Sequence, residues 1–136
     1  MVVDASAALA WFLPSQVTPS ALALLERRAQ TVFIAPWYFG IELRSVLLRS
    51  EARGLISASD AEESLRDGLS LIRLEAPEAA HRLDEVAVLA RSTGLRFYDA
   101  LYLALAMDRR LPLASRDVGL LNAATQVGVD ALDVRG

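Results

Sequence analysis

Short apolar runs alternate along the chain with longer segments in which apolar residues recur every three or four positions. The runs predict buried strands, and the longer segments predict helices with one buried face. Strands are expected at Met1–Val3, Thr31–Ala35, Leu71–Leu74, Leu111–Ala114 and Val129–Val134. Helices are expected at Ala5–Phe12, Pro19–Arg28, Trp37–Arg53, Ser57–Leu69, Pro77–Ser92, Tyr98–Arg110 and Val118–Val127.

This alternation predicts an α/β fold of three layers, α/β/α, with a mostly parallel central sheet of four to five strands. A chain of 136 residues provides one domain, so we expect a single domain over residues 1–136. In open sheets of this kind, functional sites form beyond the carboxyl ends of the strands.

The composition excludes several kinds of chemistry. The chain has no cysteine and one histidine, which rules out disulfides, thiolate sites and cysteine nucleophiles and disfavours histidine-rich zinc sites. All 14 basic side chains are arginine, and the absence of lysine argues against P-loop nucleotide chemistry and Schiff bases. The net charge is −3, so nucleic-acid binding would need a local arginine patch or metal ions.

The apolar start of the chain predicts neither a membrane span nor a signal peptide. No run of 18 apolar residues exists, and the first residues lack a basic segment and carry an acid at Asp4. We therefore expect a cytoplasmic protein without a membrane partner.

Four carboxylates stand in apolar surroundings that a solvated acid would avoid. Asp4 and Asp117 each follow a predicted strand, whereas Glu42 and Asp99 lie in strongly apolar predicted helices. Burying an unpaired carboxylate costs several kcal/mol, so each of them needs a structural or a functional explanation.

A structural explanation exists for each acid taken alone. Asp4 and Asp117 could cap the helices that follow them. Asp99 could cap the N-terminus of its helix or stabilise it with its negative charge. Glu42 could pair with Arg49, which lies two turns further along the same helix.

Taken together, the four acids favour a metal site. Two end strands at the edge where α/β sites form, and the other two lie on helices that could border that edge. No lysine or nearby histidine is available to neutralise such a cluster. Sites made of carboxylate oxygens select Mg²⁺ or Mn²⁺, and these ions activate water beside a phosphodiester.

Four segments carrying these acids resemble the motifs of PIN-domain ribonucleases of the VapC-like toxin type, in family order. They are Val2–Ser6, Glu42–Leu47, Phe97–Ala104 and Leu113–Asp117. Each motif is weak alone, and the third is the most specific. The resemblance spans the chain from residue 2 to the last predicted strand.

The resemblance implies a PIN-like fold and a metal-dependent endoribonuclease that cleaves RNA. It implies that Asp4, Asp99 and Asp117 hold Mg²⁺ or Mn²⁺ and that Glu42 binds directly or through water. It also implies a homodimer and a cognate antitoxin protein that covers the active site. The aromatic run Trp37–Phe39 could line a groove for an antitoxin helix.

Hydroxyls and arginines near the acids complete the expected site. Ser6, Ser45 and Ser115 would donate hydrogen bonds that orient the carboxylates, and Arg96 and Arg116 would contact RNA phosphates. Ser45 departs from the family pattern, which usually has asparagine three residues after the glutamate. Ser6 and Ser115 could instead cap helices or form hydrogen bonds within turns, and Arg96 and Arg116 could be ordinary surface residues.

Other functions fit the residues less well. A non-catalytic PIN-fold interaction module with a degenerate acidic site would use the acids only as caps and ion pairs. A receiver domain or phosphoryl-transfer enzyme needs a lysine, and a dinucleotide-binding fold needs a glycine-rich turn after the first strand, which this chain lacks. A flap-type DNA nuclease would need added arms for duplex DNA, for which 136 residues leave little room.

Overall fold

The computed structural model describes residues 1–75 and 80–136. Its central sheet has five strands, all parallel, in the order β3-β2-β1-β4-β5. The strands are β1 (Val2–Val3), β2 (Phe33–Pro36), β3 (Ile72–Glu75), β4 (Leu113–Ser115) and β5 (Ala131–Asp133). The prediction of an α/β fold with a parallel sheet of four to five strands is confirmed.

Seven α-helices flank the sheet in the described part of the chain. They are α1 (Ala5–Leu9), α2 (Pro19–Glu26), α3 (Phe39–Ala52), α4 (Ala58–Leu71), α5 (Ala80–Thr93), α6 (Phe97–Arg109) and α7 (Val118–Gln126). A short 3₁₀ helix, Arg27–Ala29, continues α2. The predicted start of the fifth helix at Pro77 lies outside the described residues. With the right-handed crossovers usual for parallel strands, α1 to α4 cover one face and α5 to α7 the other, and α3 packs on α4 as α6 packs on α5 and α7.

The order of the strands creates a crevice between β1 and β4. The chain leaves β1 toward β2 on one side, and it later returns to add β4 on the other side. Val2 pairs with Leu113 and Val3 with Ala114, so Asp4 and Ser115 follow at the same level. Ligands of open α/β sheets bind at such a switch point, beyond the carboxyl ends of the strands.

Helix α6 is the central helix of its face, as its apolar sequence predicts. It contacts α5 and α7 as well as β1, β2 and β4. Its buried residues are Ala100, Leu101, Tyr102, Leu103, Leu105 and Ala106. These residues fill the space over the middle strands and fix the helix on the sheet. The first turn of α6, which carries Asp99, therefore lies beside the switch point.

Predicted boundaries within the described residues differ from the observed ones by up to three residues, and one of these differences changes a predicted surface. Helix α1 ends at Leu9 rather than Phe12, and α3 begins at Phe39 rather than Trp37. Tyr38 and Phe39 are 2% and 0% exposed, so only Trp37 of the aromatic run faces outward. Tyr38 and Phe39 therefore form part of the core, and only Trp37 of the predicted groove lining is accessible to a partner.

None of the helices in residues 1–75 and 80–136 combines the length and the hydrophobicity that crossing a bilayer requires.

Candidate functional site

Asp4 lies at the carboxyl end of β1 and is 5% exposed. Its Oδ1 accepts hydrogen bonds from the Ser6 hydroxyl at 2.7 Å and from the backbone N–H of Ala7 at 2.8 Å, so the side chain also caps α1. Its Oδ2 accepts a 2.6 Å hydrogen bond from the Ser115 hydroxyl. Three neutral donors therefore hold the carboxylate in one position, and none of its hydrogen-bond partners in the described part of the chain is a cation.

Ser115 connects two of the predicted acids. It is fully buried at the end of β4, and its Oγ accepts a 2.9 Å hydrogen bond from the backbone N–H of Asp117. Asp117 in turn caps α7 by accepting the N–H of Leu120 on its Oδ1 at 2.8 Å. The ends of β1 and β4 thus present Asp4 and Asp117 from one hydrogen-bonded unit.

Glu42 lies in the first turn of α3 and is half-buried. The hydroxyl of Tyr102, on α6, donates a 3.0 Å hydrogen bond to its Oε1. The ring of Tyr38 stands edge-on to Tyr102 at 5.6 Å, and its hydroxyl donates to the backbone carbonyl of Tyr98 at 2.6 Å. Burial raises the pKa of both tyrosines, so they remain neutral donors.

Asp99 lies in the first turn of α6 with 15% of its side chain exposed. The Nε of Arg96 approaches its Oδ2 at 3.1 Å, while the Arg96 side chain itself is 83% exposed. Arg96 also interacts electrostatically with Asp117 and Glu42. Arg96 is therefore a cation that faces the acidic site.

The acids influence one another electrostatically. Burial raises the pKa of Asp4 to about 6, hydrogen bonds from Ser115, Ala7 and Ser6 counteract this rise, and the negative charge of Asp99 adds to it. Burial also raises the pKa of Glu42 to about 6, with Tyr102 opposing the rise and Asp4 and Asp99 adding to it. The mutual effects indicate that Asp4, Glu42 and Asp99 share one region of the molecule.

The donor set suits a hard divalent cation. Within the described residues, Oε2 of Glu42, Oδ1 of Asp99 and Oδ2 of Asp117 accept no hydrogen bond, and Oδ2 of Asp4 accepts one. A carboxylate oxygen has two lone pairs, so each acid keeps capacity for a ligand. Among residues 1–75 and 80–136, however, no three acidic or imidazole side chains already stand as a metal-binding group. A metal would have to draw these oxygens together.

The other predicted residues are placed differently from one another. Ser6 and Ser115 both donate to Asp4. Ser45 is exposed, and its hydroxyl has no hydrogen-bond partner within the described residues, so the geometry does not connect it to a carboxylate. The Arg116 Nη1 donates to Gln16 Oε1 at 2.9 Å, and its Nε is buried without a partner in the described part of the chain.

The structural alternatives have mixed outcomes. Asp4 and Asp117 do cap helices, but each uses Oδ1 for this and leaves Oδ2 toward other groups. The Glu42–Arg49 ion pair does not form, because Glu42 is bound by Tyr102 instead. Helix capping therefore explains the position of one carboxylate oxygen in each of Asp4 and Asp117. An ion pair with Arg49 does not explain the position of Glu42.

Sequence reasoning missed three residues of the site, Tyr38, Tyr102 and Gln16. One signal was available for Tyr102, since a tyrosine in a helix that is apolar all round needs a buried partner for its hydroxyl. For Tyr38 and Gln16 the partners are 60 and 100 residues away, and no local pattern indicates them.

Comparison with known proteins gives one family and one fold. The family model for the PIN domain matches residues 1–125. PAE2754 from Pyrobaculum aerophilum superposes with a TM-score of 0.76 at 26% sequence identity, over 98% of this chain and 87% of that protein. FitAcB from Neisseria gonorrhoeae superposes with a TM-score of 0.62 at 18% identity, over 98% of this chain and 96% of that protein, and supports the fold alone. No curated protein matches the chain significantly.

Proposed function

Because this chain belongs to the PIN domain family, whose members are generally nucleases, we propose that it is a metal-dependent endoribonuclease. The observation that carries the proposal is the environment of Asp4, a buried carboxylate at the β1–β4 switch point that is held by neutral donors and, within the described residues, forms no ion pair with a cation. Water-free burial of such a charge is costly, and a divalent ion supplies the missing positive charge.

Asp4, Asp99 and Asp117 would hold Mg²⁺ or Mn²⁺, and Glu42 would bind directly or through water. When bound, such an ion neutralises charge on the phosphodiester and supplies a nucleophile near neutral pH. The protein's own part is to orient the oxygens. Ser115 and Tyr102 each hold one carboxylate oxygen by a hydrogen bond, at 2.6 and 3.0 Å, so the acids enter the reaction with little rotational freedom.

Arg96 and Arg116 would act on the substrate side of the site. The Arg96 guanidinium is exposed and, within residues 1–75 and 80–136, paired only at its Nε, which leaves its remaining N–H groups for a phosphate. Arg116 is more restricted, since Gln16 already accepts from its Nη1. We therefore assign the larger share of phosphate binding to Arg96.

We further propose that the protein is the toxin of a toxin–antitoxin pair, that it acts in the cytoplasm as a homodimer of one-domain chains, and that an antitoxin covers its acidic site. The family relationship and the fold shared with FitAcB support this assignment. Light scattering on the purified chain tests the dimer, for which a mass of one chain would be the contrary result.

Cleavage of a fluorescent single-stranded RNA by purified protein with Mn²⁺ tests the nuclease. Wild type should cleave, EDTA should stop it, and Asp99→Asn should lower the rate by about 100-fold or more, because the change keeps the shape and removes a ligand charge. Asp108→Asn is the matched control, since Asp108 lies on the same helix outside the site. Circular dichroism checks that both variants fold.

The same experiment distinguishes the nuclease from the alternative, a non-catalytic interaction module. That alternative draws on the capping roles of Asp4 and Asp117 and on the lack of a ready-made metal group in the described residues. It requires that Asp99→Asn change nothing and that Mn²⁺ give no heat of binding in a titration. Cleavage by Asp99→Asn within about twofold of wild type would end the nuclease proposal.

A further inference from the structure

A groove of about 510 Å³ lies between the segment that follows α1 and the C-terminal half of α3. One wall carries Leu13 and Gln16, and the other carries Val46, Arg49 and Arg53. None of the four predicted ligand acids lines it, so it is separate from the metal-binding oxygens. Its surface combines apolar side chains with arginine cations, and this combination suits a nucleic-acid strand, which has both bases and phosphates.

The groove lies beyond the acidic site along one face of α3. Glu42 and Val46, Arg49 and Arg53 follow one another at intervals of four, three and four residues, and this spacing keeps them on one side of the helix. At 1.5 Å per residue, Arg49 lies about 10 Å and Arg53 about 16 Å from Glu42 along the axis. A nucleic-acid strand bound at the carboxylates would follow this face of α3 to reach the groove.

The two arginines carry charge that the protein leaves uncompensated. Both are exposed, and neither makes an ion pair within residues 1–75 and 80–136. The protein as a whole carries −3, so two uncompensated cations lining a groove beside an acidic site are a local departure from its charge. Such an arrangement attracts a polyanion.

A hydrogen-bonded connection also joins the opposite wall of the groove to the acids. Gln16 accepts from the Arg116 guanidinium at 2.9 Å, the backbone N–H of Arg116 donates to Ser6 Oγ at 2.9 Å, and Ser6 donates to Asp4. Both walls are therefore tied to residues of the acidic site, one through α3 and one through this connection.

We propose that this groove binds the phosphodiester backbone of the RNA strand on one side of the bond to be cleaved. The inference rests on the proposed ribonuclease function and adds the path of its substrate. With about 3.4 Å between successive nucleotides of a stacked strand, Arg49 would meet a phosphate about three nucleotides from the acids and Arg53 one about five away. The apolar wall around Leu13 and Val46 would contact sugars and bases.

Fluorescence anisotropy measures the effect with two labelled RNAs, a trinucleotide and a strand of about 12 nucleotides, in EDTA so that neither is cleaved. Arg49→Glu/Arg53→Glu should weaken binding of the longer strand by about tenfold or more. The ratio of the affinity for the longer strand to the affinity for the trinucleotide should therefore fall. The slope of log affinity against log salt should become shallower by about 1.4, because each single-strand phosphate contact contributes about 0.7.

The chain offers a closely matched control in Arg27→Glu/Arg91→Glu. Arg27 is the C-cap of α2 as Arg53 is of α3, and Arg91 lies in the last turn of α5 as Arg49 lies in that of α3. The two double variants thus change the same charge at equivalent helix positions, and only one changes the groove. The control should bind both RNAs as wild type does.

Acids near a helix C-terminus weaken the helix, so Arg49→Gln/Arg53→Gln is measured beside the first variant. It should keep the thermal midpoint of wild type and still lose affinity for the longer strand. If both groove variants bind that strand as the control does, the inference is wrong. If wild type cleaves RNA in that case, the nuclease proposal stands alone, whereas a wild type that neither binds nor cleaves RNA overturns both.

Discussion

The hydroxyl of Ser115 donates to Oδ2 of Asp4 over 2.6 Å, across 111 residues of chain. This hydrogen bond joins the carboxyl ends of β1 and β4 at the switch point, where the direction of strand addition reverses. Ser115 Oγ accepts the N–H of Asp117 in the same position, so one side chain holds two acids of the site.

Ser115→Ala should lower the free energy of unfolding by about 1–3 kcal/mol, because a buried carboxylate loses a donor and a backbone N–H loses its acceptor. Urea denaturation at neutral pH measures this. Ser45→Ala is the control, and it should stay within about 0.5 kcal/mol of wild type because the Ser45 hydroxyl is exposed and unbonded within the described residues. Equal stability of the two variants would show that the Ser115 contact is not formed in solution.

Tyr102→Phe should shift the acidic limb of the pH–rate profile for RNA cleavage to higher pH. The Tyr102 hydroxyl stabilises ionised Glu42 and thereby lowers its pKa, so removing it lets burial raise that pKa further. A lost neutral hydrogen bond of about 1 kcal/mol corresponds to a movement of about 0.5–1 pH unit. Tyr98→Phe is the control, and an unmoved limb in Tyr102→Phe would contradict the role of the hydrogen bond.

Mn²⁺ should stabilise the protein more at pH 7.5 than at pH 5. The folded-state pKa values of Asp4 and Glu42 are both raised to about 6, so below that pH protons occupy the oxygens that a metal would use. In the metal-free protein, the stability from these two groups is complete below their unfolded pKa values, near 4, and is lost as the pH rises through about 6.

Scanning fluorimetry with and without Mn²⁺ checks this pH dependence. Saturating metal should raise the melting temperature by about 5–10 °C at pH 7.5 and by less than about 2 °C at pH 5. Asp99→Asn should reduce the rise at pH 7.5. A rise of the same size at both pH values would place the metal away from the buried carboxylates.

Arg96→Ala should raise KM for RNA several-fold at low salt and leave stability nearly unchanged. The Arg96 side chain is 83% exposed, so its ion pair with Asp99 contributes less than about 1 kcal/mol to folding. Steady-state kinetics at two salt concentrations separate kcat from KM, and the effect on KM should shrink at high salt. Arg28→Ala, an exposed arginine on the 3₁₀ helix, should change neither constant.

The sequence by itself determined the features that depend on neighbouring residues. The alternation of short apolar runs with helical periodicity predicted the parallel α/β sheet, since strand and helix patterns are local. The motif order predicted the family, and the placement of Asp4 and Asp117 after strands predicted that both lie where helices begin.

Only the tertiary structure decided which side chains meet. Glu42 is bound by Tyr102, 60 residues away, rather than by Arg49 on its own helix, and Arg116 is held by Gln16. Ser45 lies on an exposed face of α3, although its distance along the chain from Glu42 allowed a role in the site. These contacts form because the packing of β1, β4 and α6 brings particular faces of the helices together. Residues distant in sequence determine that packing, so no local pattern of the chain contains it.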